Sequence, residues 1–356
     1  MAEEEKVEGL QQLKHENQDL PQVLVLGSPT CLQTLKQLYS HKFRFLIPNT
    51  SLDSLYPLTA PLSSISAVIC SASFSLTAPV LRLLPSLRLV VTTSAGTDHI
   101  DLNECGCRGI QVAGAGKLFS EEVADMAVGL LIDVMRRVSA ADRFVRTSCE
   151  AATWDFPLGY KISGKRIGIV GLGSIGMEVA KRLECFGCTI LYHSKHKKSA
   201  VSYPFYNSVI DLAATSNALV LCCALNEETR HIVNREVMLA LGKEGFIVNV
   251  GRGSLIDEKQ LVKFLMDGEI GGAALDVFED EPNVPKELLS MDNVVLTPHC
   301  AAFTSECIIK LCELVAGNIE ASLSDKPLIT QFRPSRVFYS SARLVLVPSC
   351  SPSSFW

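Results

Sequence analysis

Six residues, Gly171-Leu172-Gly173-Ser174-Ile175-Gly176, constrain this chain more than any other segment. They follow the apolar run 167–170 and open an apolar pattern of helical period over 177–185. A GxGxxG match alone is a weak signal, but a strand before it and a helix after it are the context it requires. Gly171 permits the tight turn, Gly173 lets the backbone approach a pyrophosphate, and Gly176 lets the helix pack close to the strand. The helix N-terminus adds free N–H groups and a partial positive charge. Leu172, Ser174 and Ile175 share the loop, so all six residues are expected to hold a dinucleotide.

The next strand decides which dinucleotide. An NAD site places Asp or Glu about 20 residues after the first glycine to hold the ribose 2′-hydroxyl. Here the segment reads Leu191-Tyr192-His193-Ser194-Lys195-His196-Lys197-Lys198, with no carboxylate. Ser194 and Lys195 suit a 2′-phosphate by hydrogen bond and charge, with His196 beside them and Lys197 and Lys198 adding field. NADPH is therefore the expected cofactor, with NADH less favoured. A second glycine segment, Gly114-Ala115-Gly116-Lys117, is a decoy. Leu118 stands where a phosphate loop needs Ser or Thr, and Gln111 where it needs Gly.

Short apolar runs separated by helix-sized segments indicate parallel α/β sheets. The first set of expected strands is 22–27, 43–47, 66–70 and 88–92, with a short helix over 80–84. The second is 165–170, 188–192, 218–223, 245–250, 272–277 and 294–297. A long helix is expected from Ser120, as its cap, to about Val145. Its apolar residues Val123, Met126, Ala127, Leu130, Leu131, Val134 and Met135 exceed what one sheet face needs. Another helix is expected over 304–323, where Cys307, Ile308, Leu311, Leu314, Val315, Asn318 and Ile319 recur near helical spacing. The fold class is α/β, with two Rossmann-like doubly wound parallel sheets, and a length of 356 residues fits two domains.

Composition removes other classes. Hydrophobic residues make up 47% and charged residues 20%, too apolar for an intrinsically disordered chain. A formal net charge of −5 argues against nucleic acid as a partner. The longest uncharged stretch, 54–81, contains Pro57, Pro61 and Pro79 and is too polar and broken for a membrane span. The acidic N-terminus has no apolar core behind it, and the 13 cysteines form no zinc pattern. A cytoplasmic protein without metal is expected. Residues 1–20 read as a loose tail. The last 26 residues, 331–356, hold seven Ser, three Pro and no acid, and also read as a loose tail, with 343–348 a weaker strand candidate.

Three polar residues follow strand-like segments of the second run. Arg252 lies in Gly251-Arg252-Gly253, Glu281 precedes Pro282, and His299 follows Pro298. In a doubly wound sheet the C-terminal strand ends border the ligand crevice, so all three can face one site.

With these residues the sequence resembles the D-isomer-specific 2-hydroxyacid dehydrogenases. Within that family it looks most like the plant-type glyoxylate, hydroxypyruvate and hydroxyphenylpyruvate reductases. The matching segments are 171–176, Asn226-Glu227-Glu228-Thr229, Asn249-Val250-Gly251-Arg252-Gly253, Leu275-Asp276-Val277-Phe278, Glu281-Pro282 and Thr297-Pro298-His299. They cover roughly residues 23 to 328. The resemblance implies a discontinuous substrate domain, 21–120 completed by 300–328, flanking an NAD(P)-binding domain over 121–299, with 329–356 an atypical tail. It implies that Arg252 grips the carboxylate and carbonyl of a small 2-oxoacid. His299 would donate the proton, and Glu281 would orient the imidazole. It further implies that backbone N–H groups at Ala95 and Gly96 hold the substrate carboxylate, and that Val250, Arg252 and Asp276 meet the nicotinamide end. Phe74 and Leu76 are expected in the wall that sets side-chain preference. A homodimer is expected through the 120–145 helix.

Two departures from the family pattern stand out: Ala224 in place of a usual Pro, and Cys300-Ala301-Ala302-Phe303 in place of a glycine-containing run. Two other readings stay open. One is a non-enzymatic, nucleotide-sensing protein resembling the family's corepressors. The other is an NAD-linked member, such as a phosphoglycerate or formate dehydrogenase. The missing acid after Tyr192 argues against the latter.

Overall fold

A computed structural model describes residues 20–27, 29–48, 62–147 and 155–332. The first sheet contains β1 (Gln22–Leu26), β2 (Arg44–Leu46), β3 (Ala67–Cys70), β4 (Leu89–Thr92) and β5 (Gln111–Ala113). Its order is β2-β1-β3-β4-β5, parallel throughout. The second contains β6 (Arg166–Val170), β7 (Thr189–His193), β8 (Ala218–Leu221), β9 (Phe246–Asn249), β10 (Gly272–Leu275) and β11 (Val294–Leu296). Its order is β11-β10-β9-β8-β6-β7, again parallel. The central strands are buried along their whole length, as continuous apolar runs covered on both faces must be. The order reverses between β6 and β8, so the crevice beyond their C-terminal ends is where a doubly wound sheet takes ligand.

Ten helices are described: α1 (Leu32–Tyr39), α2 (Ala78–Arg82), α3 (Leu102–Cys107), α4 (Ser120–Arg136), α5 (Val138–Thr147), α6 (Ser174–Cys185), α7 (Val209–Thr215), α8 (Arg235–Leu241), α9 (Glu258–Met266) and α10 (Ser305–Leu323). α4 packs against α6, β9 and β10, whereas α10 returns to α1 and β4. The chain thus leaves the first sheet after β5 and comes back to it at the end. Thr304 caps α10 by accepting the Cys307 amide at 3.1 Å, and Cys307, Leu311, Cys312, Val315, Ala316 and Ile319 fill the interface. Each such buried side chain contributes roughly 1.5–3 kcal/mol where it is large and aliphatic.

Four details differ from the sequence reading. β5 is a three-residue strand with only two apolar residues behind Gln111, too short to carry a periodic signal. The helix expected over 120–145 is two helices. Arg137 turns left-handed at φ 59°, and Asp133 accepts the Ser139 amide at 2.8 Å, starting α5 in a new direction. Ser120 is not the cap of α4, because Phe119 holds that position and Ser120 is buried in the first turn. Residues 329–332 are bound rather than loose. Fully buried Asn318 accepts the Ile329 and Thr330 amides at 3.0 and 3.3 Å. Thr330 Oγ1 donates to Gly114 O at 2.7 Å, and Gln331 bridges Ala113 antiparallel at the β5 edge. The expected 1–19 tail, the 343–348 strand and the remainder of the C-terminal tail lie outside the described residues.

Candidate active site

The glycine loop joins β6 to α6 as the sequence predicts. Gly171 sits at φ +99°, and a Cβ there would stand 2.5 Å from the Cys223 amide nitrogen. A Cβ on Gly176 would stand 2.3 Å from Gly171 O, so the first turn of α6 closes only over a bare Cα. Nothing lies within 4 Å of the corresponding point on Gly173. That open backbone at the N-terminus of a 12-residue helix fits a pyrophosphate. Leu172 is buried beneath the loop, and Ser174 is exposed at its mouth.

At the end of β7, Ser194 Oγ donates to His196 O at 2.7 Å, holding a compact turn, while Lys195 and His196 stay exposed. Lys195 Nζ pairs with Glu228 Oε2 at 3.2 Å. Glu228 belongs to a turn closed by Asn226 Oδ1, which accepts the Glu228 and Thr229 amides at 2.9 and 3.0 Å. Thr229 Oγ1 donates to Ala224 O at 2.7 Å, so the turn is closed without a proline at position 224. The loop presents exposed cations and carries no carboxylate of its own, which fits a phosphate on the ribose.

The three expected catalytic residues lie at the C-terminal ends of β9, β10 and β11, which are neighbours in the sheet. His299 Nδ1 and Glu281 Oε2 are 2.8 Å apart, and both side chains are partly exposed. Phe278 N–H donates to Glu281 Oε1 at 3.1 Å, and the Glu281–Pro282 peptide is cis. Burial works to raise the Glu281 carboxyl, but bonding to His299, the Phe278 amide and the Arg252 charge together hold it below the usual range. His299 itself is left-handed at φ 52°, with its amide donating to Asp276 O at 2.7 Å.

Asp276 is 1% exposed. Its carboxylate accepts Thr297 Oγ1 at 2.7 Å, Cys300 N at 2.9 Å and Ala301 N at 3.1 Å. It therefore braces the turn that carries His299, and Cys300 and Ala301 supply two of the anchoring amides. Val250 is nearly buried behind Arg252.

Arg252 reaches across to the first sheet. Nε and Nη2 donate to Asp98 Oδ2 and Oδ1, each at 3.4 Å. Nη2 also donates to Ser94 Oγ at 3.2 Å, and Nη1 to Gly251 O at 2.9 Å. A Cβ on Gly96 would stand 2.4 Å from Arg252 Nη2, so the guanidinium lies against that glycine. Ala95 is exposed on the same loop, and its N–H makes no hydrogen bond among the described residues.

A profile of the family described as "D-isomer specific 2-hydroxyacid dehydrogenase, NAD binding domain" matches residues 128–301. The glyoxylate/hydroxypyruvate reductase HPR3 of Arabidopsis thaliana is 51% identical over 314 residues, 87% of this chain and 97% of that relative. The chain belongs to the D-isomer-specific 2-hydroxyacid dehydrogenase family. Hydroxyphenylpyruvate reductase of Plectranthus scutellarioides is 45% identical over 75% of this chain and 85% of that protein. The NADPH-dependent glyoxylate/hydroxypyruvate reductase of Sinorhizobium meliloti, solved with NADP and malonate, superposes with a TM-score of 0.82. It is 33% identical and covers 88% of this chain and 96% of its own.

The roles of three residues of this 2-hydroxyacid dehydrogenase site escape the sequence reading. Asn249 is fully buried at the end of β9, accepting the Gly251 amide at 3.0 Å and donating to Arg252 O at 2.9 Å. A lone Asn inside an apolar strand is the signal that marks it. Ser94 and Asp98 flank Gly96, polar residues directly after a buried strand. Leu76 corrects the expected pocket wall. It is fully buried, bridges Ile100 and packs in the core of the first sheet, while Phe74 is half-buried against the same cluster.

Proposed function

We propose that this chain reduces a small 2-oxoacid, hydroxypyruvate, glyoxylate or hydroxyphenylpyruvate, to the D-2-hydroxyacid with NADPH. The observation that carries the reading is the 2.8 Å Glu281–His299 pair beside Arg252, on the sheet edge that bears the Gly171–Gly176 loop. The relatives named as reductases of these oxoacids support it. Residues 171–176 would hold the pyrophosphate, Ser194, Lys195 and His196 the 2′-phosphate, and Val250, Arg252 and Asp276 the nicotinamide end. When bound, NADPH supplies the hydride. Arg252 and the free Ala95 amide orient the oxoacid carboxylate, whereas the Gly96 amide, expected to share that role, donates to Ser94 Oγ at 3.2 Å. As charge develops on the carbonyl oxygen, His299 gives it a proton, and Glu281 holds the imidazolium in place. Residues 21–120 with 300–328 would form the substrate domain, and 121–299 the cofactor domain. The packing of α10 on α1 and β4, and of α4 on β9 and β10, supports this division.

Steady-state rates with the three oxoacids and both cofactors test the reading. Turnover of none of them, or equal kcat/KM with NADPH and NADH, would overturn it. Ser194→Asp places a carboxylate beside the 2′-phosphate and should shift the NADPH/NADH ratio of kcat/KM by tenfold or more, about 1.4 kcal/mol.

The same proposal includes a homodimer acting in the cytoplasm. The apolar residues of α4 are spent inside the chain, so support moves to the neighbouring α5 and the following segment. There Val138, Val145 and Leu158 are 54%, 45% and 93% exposed. The free thiols of the described cysteines suit a reducing compartment. No helix among the described residues is long and apolar enough to cross a membrane. Sedimentation at micromolar concentration should give twice the 38.7 kDa chain mass, and a monomer would count against the dimer.

A further inference from the structure

A guanidinium has five N–H donors, and in this structure Asp98, Ser94 and Gly251 O take four of those on Arg252. The free donor is on Nη1. Asp98 sits across the Nε–Nη2 edge, so a substrate carboxylate could form a paired fork there only by displacing it. Asp98 and Arg252 also come from different sheets, 154 positions apart in sequence, so their contact spans the cleft between them.

The surroundings are arranged for this pair. Gly96 clears the space, since a Cβ there would stand 2.4 Å from Arg252 Nη2 and 2.5 Å from Asp98 Oδ1. Ser94 Oγ receives both the Gly96 amide and Arg252 Nη2, at 3.2 Å each. The neighbouring His99 does not compete for Asp98. Its Nε2 meets Thr92 Oγ1 at 3.0 Å, and burial, then Arg252, lower its proton affinity against the opposing pull of Asp98. The cation that faces Asp98 is Arg252.

We propose that Asp98 is a positioning residue for Arg252: it anchors the Nε–Nη2 edge and leaves the Nη1 end for the substrate. The oxoacid carboxylate is then held by a single arginine N–H together with the free Ala95 amide, not by a paired fork. This rests on the reading of Arg252 as the carboxylate-binding residue. Anchoring one edge reduces the net positive charge offered to the substrate but fixes the plane of the guanidinium, and hydride transfer depends on that orientation.

Asp98→Asn keeps the shape of the side chain and replaces one acceptor oxygen by an NH2 group, which faces a guanidinium N–H and breaks the anchor. With hydroxypyruvate or glyoxylate, KM should rise about tenfold, the scale of one charge-assisted hydrogen bond, and kcat should fall with it. The NADPH dissociation constant, read by fluorescence titration, should stay unchanged, which also reports a folded nucleotide half. In an Arg252→Lys background the same Asp98→Asn change should alter kcat/KM by less than about twofold, because the group it acts through is gone. A merely structural Asp98 would give the same loss in both backgrounds, and that result overturns the proposal. A lowered KM in Asp98→Asn would also overturn it, since Asp98 would then be a competitor that substrate displaces. A wild type that turns over no oxoacid removes the functional reading and this proposal together. An active wild type with additive effects removes only the proposal.

Discussion

Replacing His299 with Gln is expected to lower kcat for oxoacid reduction by about 10²–10⁴-fold, the usual worth of general acid catalysis. The NADPH dissociation constant should hardly move, because the glycine loop and the Ser194–His196 turn lie at the ends of other strands. Gln preserves a polar side chain of similar reach but cannot give up a proton. His299 also sits in a left-handed backbone held by Asp276, a conformation His adopts more readily than Gln, so the variant should also lose a little stability. A thermal midpoint lowered by only a few degrees would show that the loss of kcat is not a loss of fold. Stopped-flow single turnovers would separate the chemical step from product release, and a near-normal rate in the variant would refute the assignment.

Glu281→Gln should act through the same imidazole. The depressed Glu281 carboxyl means that the anion and the His299 proton favour each other. With the anion removed, His299 Nδ1 loses its 2.8 Å partner and the ring is no longer held for proton delivery, so kcat should fall. At neutral pH the loss should be roughly tenfold or more. The acid side has its own sign. A carboxyl with a lowered folded-state pKa keeps its charge until pH falls through that value, so wild-type activity should persist well into mild acid and the stabilising pair is lost only below it. A Glu281→Gln variant with near-normal kcat would rule out this coupling.

Both predictions concern residues that the sequence alone marks, and the reason is geometric. Arg252, Glu281 and His299 each lie a few residues beyond an apolar run, and in a parallel sheet the C-terminal ends of all strands point to the same edge. The glycine loop was legible for the same reason, with its strand and helix on either side. What stayed hidden depends on contacts between segments distant in sequence. Asp98 and Ser94 gain meaning only because Arg252 crosses from the other sheet. Leu76 reads as a plausible wall residue in a polar stretch, and only its pairing with Ile100 shows that it faces the core. The break at Arg137 was concealed because apolar spacing continues through it, and no Gly or Pro marks the left-handed residue. For Asp276 the sequence offers a role at the nicotinamide end, and its three further hydrogen bonds to the His299 turn come from side-chain direction, which spacing does not encode.

The return of α10 to the first sheet has a consequence for how the molecule is made. Cys31 and Leu35 on the early part of the chain share one buried cluster with Leu311, Cys312 and Val315. A ribosome produces about 5–20 residues per second, and domains usually close in the order in which they emerge. Here that order is inverted. The sheet that begins at Gln22 waits, with one face bare, until Leu323 has left the exit tunnel, while the nucleotide half can finish first. A nascent chain stalled once residue 300, but not α10, has left the tunnel should therefore bind a dinucleotide-affinity resin while its N-terminal third is still cut readily by protease.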